Sequence, residues 1–94
     1  MWFLAMNYFT FVPANVKFMV VKYFAEILRE LRISNGLSQE KLAERCDLHD
    51  RYISFLERGL RQPTISTIFK LGKALDVPAS EIIKRIEDKI ADSE

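Results

Sequence analysis

From Val20 onward, apolar residues recur three and four positions apart. Val20, Val21, Phe24, Ile27, Leu28 and Leu31 share one face of a helix, with Glu26, Arg29 and Glu30 on the other. Asn35 and Gly36 stop it, and Gly36 suits the left-handed position after a last helical turn. Ser38 is a good N-cap for a second helix whose inner face holds Gln39, Leu42, Ala43 and Cys46. Lys41 stands where the acid of a capping box would be, so that box is incomplete. The helix must end at Cys46 or Asp47, because Leu48 restarts an apolar position out of phase. His49 or Asp50 caps a third helix, Asp50 to about Arg58, with Ile53 and Leu56 inside and Gly59 at its end. Leu60 to Pro63 is a turn. Thr64 caps a fourth helix with Ile65, Ile68, Leu71, Gly72 and Leu75 inside, broken by Asp76 to Pro78. Pro78 is tolerated in the first turn of a fifth helix, Ala79 to about Ile90, which carries Ile82, Ile83, Ile86 and Ile90 on one side.

No segment after Val20 alternates with period two. Five short helices with connections of a few residues predict an all-α bundle. Residues 1–16 contrast with the rest, because they carry no charge at all and are rich in large apolar side chains, among them Trp2, Phe3, Leu4, Tyr8, Phe9, Phe11 and Val12. The predicted division is an apolar N-terminal arm, 1–19, and a domain, 20–94. No basic region precedes the arm and no small-residue cleavage site follows it, which argues against a signal peptide. Asn7, Thr10, Pro13, Asn15 and Lys17 interrupt it well short of the roughly 20 apolar residues of a membrane span. Two readings stand for it. It packs on the bundle or on a second subunit, with Phe9 to Val12 as a short strand, or it is an upstream extension with Met19 as the effective start.

Length and composition narrow the function. A chain of 94 residues is one domain with a modest core. Its 49% apolar and 29% charged residues are those of a folded protein. The single cysteine forms no internal disulfide and fits a reducing cytoplasm. One histidine and one cysteine make neither a zinc site of ordinary spacing nor a hydrolytic triad. Gly36, Gly59 and Gly72 are scattered, so there is no phosphate-cradling loop. Neither catalysis, cofactor, metal nor small-molecule ligand is expected.

The second and third helices, joined by a turn of three to four residues, have the outline of a helix-turn-helix unit, whose second helix enters the major groove of DNA. Ala43 is small where the two helices must cross. The pieces R-x-x-x-G-L-S-Q-E-x-L-A from Arg32, Y-I-S-x-x-E-R-G from Tyr52 and R-x-P-T from Arg61 follow in order. Over residues 21–83 the chain resembles the Xre-type helix-turn-helix domains of the lambda-repressor and Cro-like family. It is most similar to single-domain members such as restriction–modification controller proteins. One departure is Asp47, at a turn position where that family usually has glycine. Aspartate tolerates the left-handed backbone at some cost.

The resemblance implies a five-helix lambda-repressor-like bundle that binds double-stranded DNA. It sets Asp50, Arg51, Tyr52, Ser54 and Phe55 against the bases. Arg51 can pair with guanine O6 and N7, and Phe55 and Tyr52 offer apolar faces to a thymine methyl. Asp50 can accept from cytosine N4 or simply cap the helix. A solvent-facing Phe55 argues for a binding surface, for DNA or for a protein. Gln39 is expected against a phosphate at the second helix's N-terminus. Arg58 and Arg61 are phosphate partners, and Thr64 and Ser66 add donors at the next helix start. Arg51 to Lys73 holds five bases and one acid, whereas Asp76 onward holds six acids and three bases. The total charge of only +1 therefore conceals a basic face.

Other residues receive structural roles. The resemblance makes Arg32 and Glu57 a partly buried ion pair joining the first helix to the third. Cys46 is read as a small buried hydrophobe. Ile82 belongs to the core, while Ile86 and Ile90 extend beyond it as a candidate two-fold interface. The expected protein is a cytoplasmic transcriptional regulator, a homodimer on a palindromic operator, acting by occluding or recruiting polymerase. The rivals are an antitoxin that binds DNA and a toxin, and an interaction module that has lost DNA binding.

Overall fold

The computed structural model describes residues 15–93. Five helices make up the bundle: α1, Val16–Ser34; α2, Gln39–Cys46; α3, Asp50–Glu57; α4, Ile65–Ala74; and α5, Ala79–Ser93. There is no strand among the described residues. The strand expected at Phe9 to Val12, and the first fourteen residues of the expected arm, lie outside them.

The helix ends follow the capping residues. Ser38 Oγ accepts from the Lys41 N–H, His49 Nδ1 from the Arg51 N–H and Thr64 Oγ1 from the Thr67 N–H. Each replaces a partner that the first turn of a helix lacks. At the far end of α1, Asn35 Nδ2 donates to the Leu31 carbonyl at 2.8 Å and reaches the Leu75 carbonyl at 3.4 Å, tying the end of α1 to that of α4. Phe24, Ile27, Leu28, Leu42, Ile53, Leu56, Leu71, Leu75, Ile82 and Ile90 form the fully buried centre. Helix α1 packs on α3 and α5, α2 on α3 and α4, and α4 on α5.

Four expectations are corrected. Helix α1 starts at Val16 rather than Val20, so residues 16–19 are helical. Met19 and Val20 continue its apolar stripe and pack against the core. Helix α1 packs on α5, and Lys89 of α5 lies 3.5 Å from Glu26 of α1. That overturns the reading of Ile86 and Ile90 as a dimer ridge, because they are 5% and 2% exposed and belong to the core of the single chain. Ile83 is turned outward and is 38% exposed. Ile65 is 67% exposed, not internal; Thr67 is buried in that turn instead, with its hydroxyl bonded to Thr64 Oγ1 at 3.0 Å.

Candidate nucleic-acid interface

The corner between α2 and α3 is set by backbone. Asp47 takes φ 56° and ψ 45°, the left-handed conformation expected of it. That reversal lets the Leu48 N–H donate to the Ala43 carbonyl at 2.9 Å. Ala43 is buried beneath the corner, where a larger side chain would push the helices apart. His49 caps α3, leaving Asp50 in its first turn, where a carboxylate suits the positive end of the helix dipole. Asp50 Oδ1 lies 3.1 Å from His49 Nδ1.

Ile53 and Leu56 are wholly buried, which fixes how α3 is rotated. Arg51, Ser54, Phe55 and Arg58 therefore form one outward stripe, spaced three and four apart. Gln39, His49, Asp50, Arg51, Ser54, Phe55 and Arg58 line a shallow open concavity. A second concavity beside it is lined by His49, Arg51, Tyr52, Phe55 and Arg61. The structure thus gathers the expected base-reading residues on one surface, with Arg58 and Arg61 at its edge. Tyr52 is half-buried, its ring against the core. Phe55 is also half-buried, but it lines both concavities and so still presents part of its ring outward. The guanidinium groups of Arg58 and Arg61 lie 5.3 and 5.5 Å from its ring centre. Such stacking holds two flexible cations in place.

Behind this surface, Arg32 Nε donates to Glu57 Oε2 and Nη2 donates to Oε1 at 3.0 Å. Arg32 Nη1 donates to the Leu37 carbonyl at 2.8 Å. The side chains are only 13% and 4% exposed. The hydrogen bond to Glu57 raises the Arg32 pKa above the ordinary arginine value, against the opposing effect of burial. Gln39 joins the same group, its Nε2 donating to Glu57 Oε1 at 3.1 Å. Its side-chain amide is thus turned toward Glu57 rather than outward. Because Glu57 is consumed by Arg32, the acid that interrupts the basic run does not oppose Arg51, Arg58 or Arg61 at the surface.

Thr64 and Ser66 open α4, and their hydroxyls lie 3.0 Å apart. Cys46 is buried, and burial pushes its thiol pKa up against a weaker opposing influence from Lys70, which disfavours a reactive thiolate. Sequence reasoning missed the Gln39–Glu57 bond and the Phe55 stacking. Neither leaves a periodic signal, since the partners meet only after folding.

A basic stripe on the second helix of a helix-turn-helix, fixed from behind by an ion pair, defines a DNA-binding protein of the helix-turn-helix class. The chain belongs to the helix-turn-helix family HTH_3 of transcriptional regulators, whose model matches residues 28–82. It is 44% identical over 61 residues to the control protein C.BamHI of Bacillus amyloliquefaciens, covering 64% of this chain and 75% of that one. It is 42% identical over 73 residues to the control protein C.SmaI of Serratia marcescens, covering 77% and 87%. Among solved structures it is similar to the restriction–modification controller protein C.AhdI of Aeromonas hydrophila. That match has a TM-score of 0.64 and 42% identity over 66% of this chain and 94% of the other. No helix among the described residues is long and apolar enough to cross a membrane.

Proposed function

We propose that this regulator is a controller of the restriction–modification type, a cytoplasmic homodimer that reads a palindromic operator without catalysis or cofactor. The outward stripe of Arg51, Ser54, Phe55 and Arg58 on α3 carries the reading. Arg51 reads a guanine edge, Ser54 and Phe55 complete the base contacts, and Tyr52 and Asp50 border them. Arg58, Arg61, Ser66 and Thr64 take phosphates, and Gln39 contributes through the N-terminus of α2 rather than through its tethered amide. The similarity to two control proteins supports the restriction–modification setting.

A dimer needs a surface other than Ile86 and Ile90. Ile65 and Phe69 lie one turn apart on α4 and are 67% and 63% exposed. Thr64 caps α4, three residues after Arg61 in the turn that follows α3. An isologous contact along the outer face of α4 would relate two chains by a two-fold axis, as a palindromic operator requires.

Selection of bound sites from random duplexes tests this reading. The expected product is an inverted repeat bound with an affinity that falls steeply with salt. Weak, sequence-blind binding would remove the operator reading, and no salt-dependent binding would make the chain an interaction module.

A further inference from the structure

Helix α3 ends in a backbone reversal that returns the chain to Phe55. Gly59 takes φ 71°, its N–H donates to the Leu56 carbonyl at 3.2 Å, and the Leu60 N–H donates to the Phe55 carbonyl at 2.9 Å. These two bonds close the last turn around the left-handed residue that glycine supplies. Arg58 is the C-cap of α3, three positions after Phe55 and on the same side of the helix. Arg61 follows the reversal directly. Both guanidinium groups therefore come over one ring, 5.3 and 5.5 Å from its centre. The ring itself is half-buried and held by a helix whose rotation is fixed by Ile53 and Leu56.

Among the described residues no carboxylate pairs with Arg58 or Arg61. A carboxylate in that place would cancel their charge and occupy their donors. An aromatic ring does neither. It attracts a guanidinium through its face, and the N–H donors in the guanidinium plane stay open. Two exposed cations are thus held over one ring, despite their like charge, with their donors free for an anion.

We propose that Phe55 is a positioning residue, which acts on DNA affinity through Arg58 and Arg61 by holding both for the phosphates. This rests on the DNA-binding reading and deepens it. A free arginine loses rotamer freedom when it meets a phosphate. Stacking on Phe55 orders the two side chains on folding, so less freedom is lost on binding. The gain is the same for every sequence, because phosphates carry no sequence information. The part of the ring that lines the two concavities stays available to a base.

Binding of the full chain to matched and mismatched duplexes tests the proposal. Phe55→Leu keeps an apolar side chain and removes the ring face. It should weaken binding to both duplexes alike, roughly five- to thirty-fold, while far-ultraviolet circular dichroism keeps the helical signal. Phe55→Tyr keeps the face and should bind as the parent does. In a chain carrying Arg58→Ala and Arg61→Ala, Phe55→Leu should cost nothing further, because a residue that acts through two partners has no effect without them. Phe55→Met is a second ringless variant if Phe55→Leu disturbs folding. In the free chain, the ring-current shifts of the Arg58 and Arg61 side-chain protons should vanish with the ring. Equal affinity of the parent and the ringless variants overturns the proposal. A loss confined to the matched duplex, or one that persists without the two arginines, overturns it in favour of a direct base contact. Each of these outcomes leaves the DNA-binding reading standing. A parent with no salt-dependent binding to any duplex removes that reading and the proposal with it, even where the shifts show the stacking.

Discussion

Arg32 and Glu57 meet through two parallel hydrogen bonds, Nε to Oε2 and Nη2 to Oε1, although they stand 25 positions apart. The pair ties α1 to the last turn of α3, and Gln39 of α2 closes the group on Oε1. Three helices thus converge on one carboxylate behind the outward stripe of α3. The planar fork of arginine fits this geometry as lysine would not.

Glu57→Ala should therefore act on stability first. Removing one partner of a buried pair strands the other charge and costs about 3–5 kcal/mol. A clear fall in melting temperature is expected, and unchanged stability with weakened DNA binding would reassign Glu57 to the interface. The raised Arg32 pKa sets the sign of the pH effect. Its contribution is fully present below the ordinary arginine value and is lost only as pH rises through the still higher folded value. Titration between neutral and moderately alkaline pH should leave this contribution intact.

Asp47 holds the left-handed corner at φ 56°. That backbone costs a residue with a side chain roughly 1–2 kcal/mol, less for aspartate, and glycine offsets part of the gain through its looser unfolded state. Asp47→Gly should raise stability by about 0.5–1 kcal/mol in urea unfolding. A loss instead would show that the carboxylate contributes something the backbone argument omits.

Most helices were legible because their signals are local. Ser38 and Thr64 announced two helix starts, and the spacing of Ile53 and Leu56 fixed the buried face of α3. What escaped depends on distant partners. Ile86 and Ile90 look surplus until α5 is seen packed on α1 and α4, with both side chains buried in the core of one chain. Ile65 looks internal because apolar periodicity does not show that the buried place in the first turn of α4 goes to a threonine with a bonded hydroxyl. The basic stripe was readable on α3, but the stacking of Arg58 and Arg61 on Phe55 needed the following turn in place.

Gly72 is required by contact rather than by φ. A Cβ there would meet the Val77 carbonyl oxygen at 2.7 Å and the Ala79 nitrogen at 3.3 Å. Both are backbone atoms of the turn into α5, so neither can rotate away. Gly72→Ala should cost about 1–3 kcal/mol, as overpacking does. A stability equal to that of the parent would mean that the α4–α5 turn yields easily.

Ile90 and Phe69 should separate folding from assembly. Ile90→Ala opens a cavity in the core of one chain and should cost about 2–5 kcal/mol at any protein concentration. Phe69→Asp changes an exposed face of α4 and should leave the helical signal intact while halving the mass seen in sedimentation. If Phe69→Asp leaves the mass unchanged, the proposed two-fold contact lies elsewhere.

Arg51 and Arg61 should divide sequence reading from anchoring. Arg51 projects from the first turn of α3 into both concavities, where a guanidinium can meet a guanine edge. Arg61 lies beyond the helix, stacked on Phe55. Arg51→Ala should cost about 1–3 kcal/mol on the best operator and relax preference at one base pair. Arg61→Ala should weaken every sequence alike and reduce the salt slope by about one unit. Phosphates repeat at every step of the duplex, whereas base edges differ, so only the first loss should depend on sequence. Binding to matched and mismatched duplexes at several salt concentrations reads both quantities. If Arg51→Ala preserves the matched-to-mismatched ratio, specificity belongs to Ser54 and Phe55 or to the shape of the duplex.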